Sequence, residues 1–140
     1  LRSLDHFFGL AGVRVGFVFA APDLLAKMAA AMGPWTVAGP SRAAARLALL
    51  DRDWQAAMRA RLLAAGQRLH QLLAPFGEVK STALFATLNT PQAAELHAHL
   101  AGHGILVHQV EQGSRLRVGL PGSEADWQRL SAALAVWQPA

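Results

Sequence analysis

The chain has 140 residues, 53% of them hydrophobic and 16% charged, with a formal net charge of +4 and no cysteine. That balance favours a packed globular body over disorder, and the missing cysteines exclude disulfides and thiolate metal sites. Arg, Asp, His or Lys interrupts every long apolar stretch, so no run reaches the ~18 residues of a membrane span, and no basic-then-apolar signal segment opens the chain.

Eleven of the thirteen basic residues are arginine, and they form no dense cluster interleaved with aromatics of the kind that nucleic-acid interfaces use. The expected setting is the cytoplasm, without nucleic-acid or membrane partners. The chain opens on Leu1 rather than a methionine and enters at once on a motif-like stretch, so it is expected to be part of something longer.

In chain order, Val13, Val15, Phe17 and Phe19 alternate with Arg14, Gly16 and Val18, which predicts a strand over Val13 to Phe19. Pro22 opens PDLLAKMAAAM, a helix expected to end near Gly33 and Pro34. GPWTVAGP is a bend. A long helical region follows from Ser41 to about Leu73, broken near Asp51 to Asp53; Trp54, Met58, Leu62, Ala65, Leu69 and Leu72 trace one apolar stripe along its second part.

Beyond Gly77 the period becomes two, with Leu84, Ala86 and Leu88 alternating against Phe85 and Thr87. Thr90 and Pro91 start, and Gly102 and Gly104 stop, a helix carrying Leu96 and Leu100. Strands over Ile105 to Val110 and Arg115 to Leu120 are joined by EQGS. The last helix begins at Ser123, with Asp126 completing a capping-box pattern, and should bury Trp127, Leu130, Leu134 and Trp137.

His97, His99, His103 and His108 invite a metal hypothesis, yet the spacing argues against it. Positions two apart on a helix diverge, and Gly102 is expected to end the helix before His103 can align with His99. GLAGVRVG has the wrong glycine spacing for a dinucleotide fingerprint and leads into a strand. In SRLRVGLPG, Leu116, Val118 and Leu120 share one face, so Arg115 and Arg117 share the other. There a guanidinium is well placed for two-point binding of a carboxylate, although such an arginine also occurs as a plain solvated strand residue.

SLDHFFGLAGVRVGF resembles the cofactor-lysine segment of fold-type I pyridoxal-phosphate enzymes, the class I/II aminotransferase superfamily. There a Ser, two variable residues and a Lys precede a GLAG turn and an arginine on a strand. Together with the GPWTVAGP bend and LRVGLPG followed by a helical Trp, it is most similar to the threonine-phosphate decarboxylase branch of cobalamin biosynthesis. Histidinol-phosphate aminotransferases are the nearest other branch. The likeness runs along essentially all 140 residues and corresponds to the C-terminal part of a chain more than twice as long.

The resemblance implies an α/β fold, with an α+β small domain whose mostly antiparallel sheet is packed by helices. Residues 1–38 would be the remnant of the cofactor-binding large domain, and 39–140 the small domain with its long connecting helix. Ser3 and Arg14 would contact the phosphate of pyridoxal phosphate, and Arg117 the α-carboxylate of a phosphorylated amino acid. The intact family protein would be a homodimer.

His6 stands where the family has its Schiff-base lysine. Imidazole has no primary amine with which to form an imine, although it could still move a proton. Lys27 and Lys80 are the only lysines, and neither lies in this motif. The resemblance therefore implies a C-terminal portion of a lyase or transferase that is inactive alone and does not retain the cofactor. The alternatives are a non-catalytic fold remnant serving binding or assembly, and a portion of a histidinol-phosphate aminotransferase-like transaminase.

Overall fold

A computed structural model describes residues 1–110 and 114–138. The chain divides into two units, Leu1–Ala56 and Ala57–Ala140, the boundary falling inside a long helix. Among the described residues no helix is long and apolar enough to cross a membrane.

In the first unit β1 (Arg2–Ser3) pairs antiparallel with β2 (Gly16–Phe17), Ser3 opposite Gly16. The expected strand over Val13 to Phe19 is thus cut to two residues. Val13 ends a 3-10 turn (Ala11–Val13) and Arg14 takes a left-handed conformation, which breaks the extended run before Val15. The alternation nonetheless reported a shared environment: Val13 and Phe17 pack on the cluster of Leu4, Val15 and Ala45, whereas Phe19 is exposed.

α1 (Pro22–Met32) starts on proline at its first turn, where no N–H is missed, and ends at Gly33, whose φ of 74° suits glycine. α2 (Gly39–Leu50) and α3 (Arg52–Leu73) are separate helices. The break falls at Asp51, whose side-chain oxygen accepts from the Trp54 amide at 3.0 Å and satisfies one orphan donor of α3.

The second unit is a four-stranded antiparallel sheet in the order β3 (Glu78–Ser81), β4 (Phe85–Asn89), β6 (Arg115–Gly119), β5 (His108–Val110). One face is buried by α3, α4 (Ala93–Gly102) and α5 (Glu124–Ala135) through Leu69, Leu73, Leu96, Leu100, Leu130 and Leu134, against Ala86, Leu88, Leu116 and Val118. β3 has no counterpart in the sequence reading: it is an edge strand in which Val79 alone is half-buried, too little apolar signal to show a period. β5 is shorter than the strand expected from Ile105, since pairing starts at His108. Glu111 to Gly113 of the expected EQGS connection lie outside the described residues.

The expected capping box at α5 is present. Ser123 Oγ accepts from the Asp126 amide at 3.2 Å, and the Asp126 carboxylate accepts from the Ser123 amide at 3.1 Å. Arg68 ties α3 to α5, its fork donating to both Glu124 oxygens at 2.7 Å while its guanidinium lies 4.3 Å from the Trp127 ring centre.

α3 approaches the β3–β4 turn at Gly66, where a Cβ would stand 2.9 Å from the Thr82 carbonyl oxygen and 3.2 Å from Ala83 Cα. Helical Gly→Ala normally stabilises by about 1 kcal/mol, but here the obstacle is backbone. Gly66→Ala is expected to destabilise by about 2 kcal/mol through overpacking, read as a lowered denaturant midpoint; a raised midpoint would contradict the close approach.

Glu124 is held below its ordinary value by the Arg68 hydrogen bond, and Asp126 by hydrogen bonds from Ser123 and then by Arg129. A carboxylate lowered in the folded state adds stability above its unfolded value and loses it as pH falls through the folded one. Melting temperature should therefore drop below about pH 4. Asp126→Asn should melt lower than the native chain at pH 7, and the two curves should converge in acid.

Candidate functional site

The opening loop is built around Leu4, 1% exposed. Its amide donates to the Val15 carbonyl and its carbonyl accepts from the Leu10 amide at 3.0 Å. Gly9, at φ 66°, supplies the left-handed step that turns FFGLAG back. Phe8 stacks on Trp54 at 5.7 Å between ring centres, and Phe7 meets both edge-on. Trp54, expected on the apolar stripe of α3, thus serves the loop.

This frame brings the Ser3 strand and the Arg14 turn together, since Ser3 faces Gly16 and Leu4 bonds Val15. The side chains themselves are not joined. Ser3 Oγ accepts from the Asp5 amide at 3.4 Å, and Arg14 Nη1 donates to the Ala11 carbonyl at 3.3 Å. Ser3, His6 and Arg14 are all exposed. Arg14 does not sit on a strand face as expected: it caps the 3-10 turn at φ 56°, ψ 44°.

Arg117 lies in the second unit. On β6, Leu116 and Val118 are buried, so Arg115 and Arg117 take the opposite, open face, as the alternation predicts. Thr87 flanks Arg117 on β4 and His108 on β5. Its guanidinium carbon stands over the Phe85 ring, 4.0 Å from the centre. Among the described residues it makes no hydrogen bond or ion pair, so its donors are open to a ligand. Sequence reasoning placed Phe85 on that face and missed its partner, because the meeting depends on the β4–β6 register.

His103 does align with His99, contrary to expectation, because α4 continues through Gly102 with His103 as its C-cap; the rings lie 4.4 Å apart. Both are committed to backbone, His99 Nε2 donating to the Ala133 carbonyl at 2.8 Å and His103 Nδ1 to the His99 carbonyl at 2.9 Å. Among the described residues no group of three or more His, Cys, Asp or Glu could hold a metal ion.

The cluster at Arg14 carries a backbone cost, because a non-glycine residue in the left-handed region is disfavoured by roughly 1 kcal/mol. Arg14→Gly should leave the melting temperature unchanged or raise it, despite the lost contact to Ala11. A clear drop would mean that the side chain supports the loop more than the strain opposes it.

The family model for class I and II aminotransferases matches residues 1–134. The chain is 52% identical over 136 residues to a threonine-phosphate decarboxylase of Pseudomonas aeruginosa, covering 96% of this chain and 41% of that protein. It is 38% identical to a threonine-phosphate decarboxylase of a Sinorhizobium species, covering 96% and 40%. A crystal structure of a candidate aminotransferase from Burkholderia pseudomallei superposes with a TM-score of 0.80 at 29% identity, over 96% of this chain and 43% of that one. The chain thus spans about two fifths of the length of these curated relatives, and it belongs to the class I and II aminotransferase family.

Proposed function

We propose, with that membership as the premise, that this chain is the substrate-gripping C-terminal portion of a threonine-phosphate decarboxylase-like protein of cobalamin biosynthesis, and that it performs no pyridoxal-phosphate chemistry alone. The observation that carries the first half is Arg117, a guanidinium on the open face of the sheet with no hydrogen bond or ion pair among the described residues, suited to two-point binding of a substrate carboxylate. On this reading residues 1–38 are the remnant of a cofactor-binding domain and 39–140 the small domain. The intact protein would be a cytoplasmic homodimer acting on a phosphorylated amino acid.

The donors on the first unit fit one end of the cofactor and not the other. Ser3 offers a hydroxyl and Arg14 a guanidinium, both exposed on one loop, which suits a phosphate. At the reacting end His6 has no primary amine to offer an aldehyde. Lys27 is in α1, and Lys80 pairs with Glu78 at 3.4 Å on β3. No covalent step is therefore assigned to this chain; its parts bind and orient.

Borohydride reduction of the chain incubated with pyridoxal phosphate, followed by peptide mass spectrometry, tests this. The native chain should carry no pyridoxyl adduct at residue 6 and should release no carbon dioxide from L-threonine O-3-phosphate. The His6→Lys variant should gain the adduct. Cofactor-dependent carbon dioxide release by the native chain would sink the proposal.

A further inference from the structure

The core-facing positions of β4 are Ala86 and Leu88, both fully buried, which sets Phe85 on the other face with Thr87 and Asn89. Phe85 is not among the side chains of either apolar cluster, so core packing does not account for a large aromatic at this position. Its direct partner across the ladder is Gly119, which has no side chain. The ring is thereby left to the diagonal neighbour, Arg117, whose Cζ lies 4.0 Å from its centre.

We propose that Phe85 is a positioning residue for substrate recognition, its ring holding the Arg117 guanidinium so that the N–H fork stays open to a planar carboxylate. The proposal rests on reading Arg117 as the carboxylate-binding group. An arginine on a strand face has several rotatable bonds, and fixing it usually falls to an acidic neighbour. A carboxylate neighbour would occupy the donors that the ligand needs. An aromatic face orients the cation through its quadrupole and takes up none of the N–H groups. It also shields one side of the guanidinium from water, which strengthens whatever charge-assisted bond the open edge makes.

The test follows the backbone amide resonances of β6 in the labelled 140-residue chain by NMR, with the Arg117 Nε–Hε resonance as a second reporter in every variant that keeps Arg117. L-threonine O-3-phosphate is one probe, and ethanolamine phosphate, which lacks the carboxylate, is the other. Phe85→Leu should weaken binding of the first about fivefold, the scale of a partly desolvated cation–π contact, and leave the second within about twofold. Phe85→Trp should match or exceed the native affinity.

Native affinity in Phe85→Leu, with binding lost in Arg117→Gln, would overturn the positioning role alone. Native affinity in Arg117→Gln would overturn the carboxylate reading, and this inference with it. Should Phe85→Leu lose its fold by circular dichroism, the tryptophan variant decides: weaker binding than native in a folded Phe85→Trp chain overturns the proposal.

Discussion

The one-sided burial of the β3–β4–β6–β5 sheet is the constraint on which the second unit depends. Because three helices cover one face, the period of two in each strand becomes a sorting rule: Leu116 and Val118 must enter the core, and Arg115 and Arg117 must leave it. A slip of one residue in β6 would bury two guanidiniums and expose two branched aliphatics, so the cost of the wrong register is large. The stability of the core thereby fixes the place of Arg117 as firmly as any contact the arginine makes itself. The tight packing of Gly66 against the β3–β4 turn and the Arg68–Glu124 link hold the covering helices to the same arrangement.

The first unit follows a different logic. Its buried cluster is small, Leu4, Val15 and Ala45 with half-buried neighbours, and its strands are two residues each. Order in the opening loop comes from a few backbone hydrogen bonds, the Phe7–Phe8–Trp54 rings and a left-handed glycine. Leu24, Met32, Trp35 and Leu47 remain exposed there, more large apolar surface than such a core accounts for. A loop held this way can bear the unfavourable backbone at Arg14 only because Leu4 and Val15 anchor it on both sides.

What was legible in the sequence was what is encoded locally. The Ser123–Asp126 capping box, the proline start and glycine stop of α1 and the inward face of β6 depend on residues a few positions apart, and all stand as read. What escaped depends on pairing at a distance. β3 is called into the sheet by β4 rather than by its own composition. The apolar alternation from Val13 to Phe17 came from packing on a shared cluster and imitated a strand. The stacking of Phe85 on Arg117 needs the register that sets Phe85 across from Gly119. The stop expected at Gly102 and Gly104 is local in the same way as the capping box and stands: α4 ends at Gly102, with His103 as its C-cap and Gly104 at φ 69°.

On the proposed reading, the two units separate holding a ligand from reacting with it. Arg117 sits on a sheet whose register the buried face fixes, so on that reading a carboxylate would meet it without rearrangement of its frame. Ser3 and Arg14 sit exposed on a loop, where a charge-assisted contact to a phosphate competes with water and contributes on the order of 1 kcal/mol or less. An amine at position 6 would convert such weak capture into a covalent bond, and the imidazole of His6 cannot. On the proposed reading, affinity for the cofactor must then come from groups supplied by a longer chain. On the same reading the sheet face with Arg117 and Phe85 is the part of the substrate site that these 140 residues contribute.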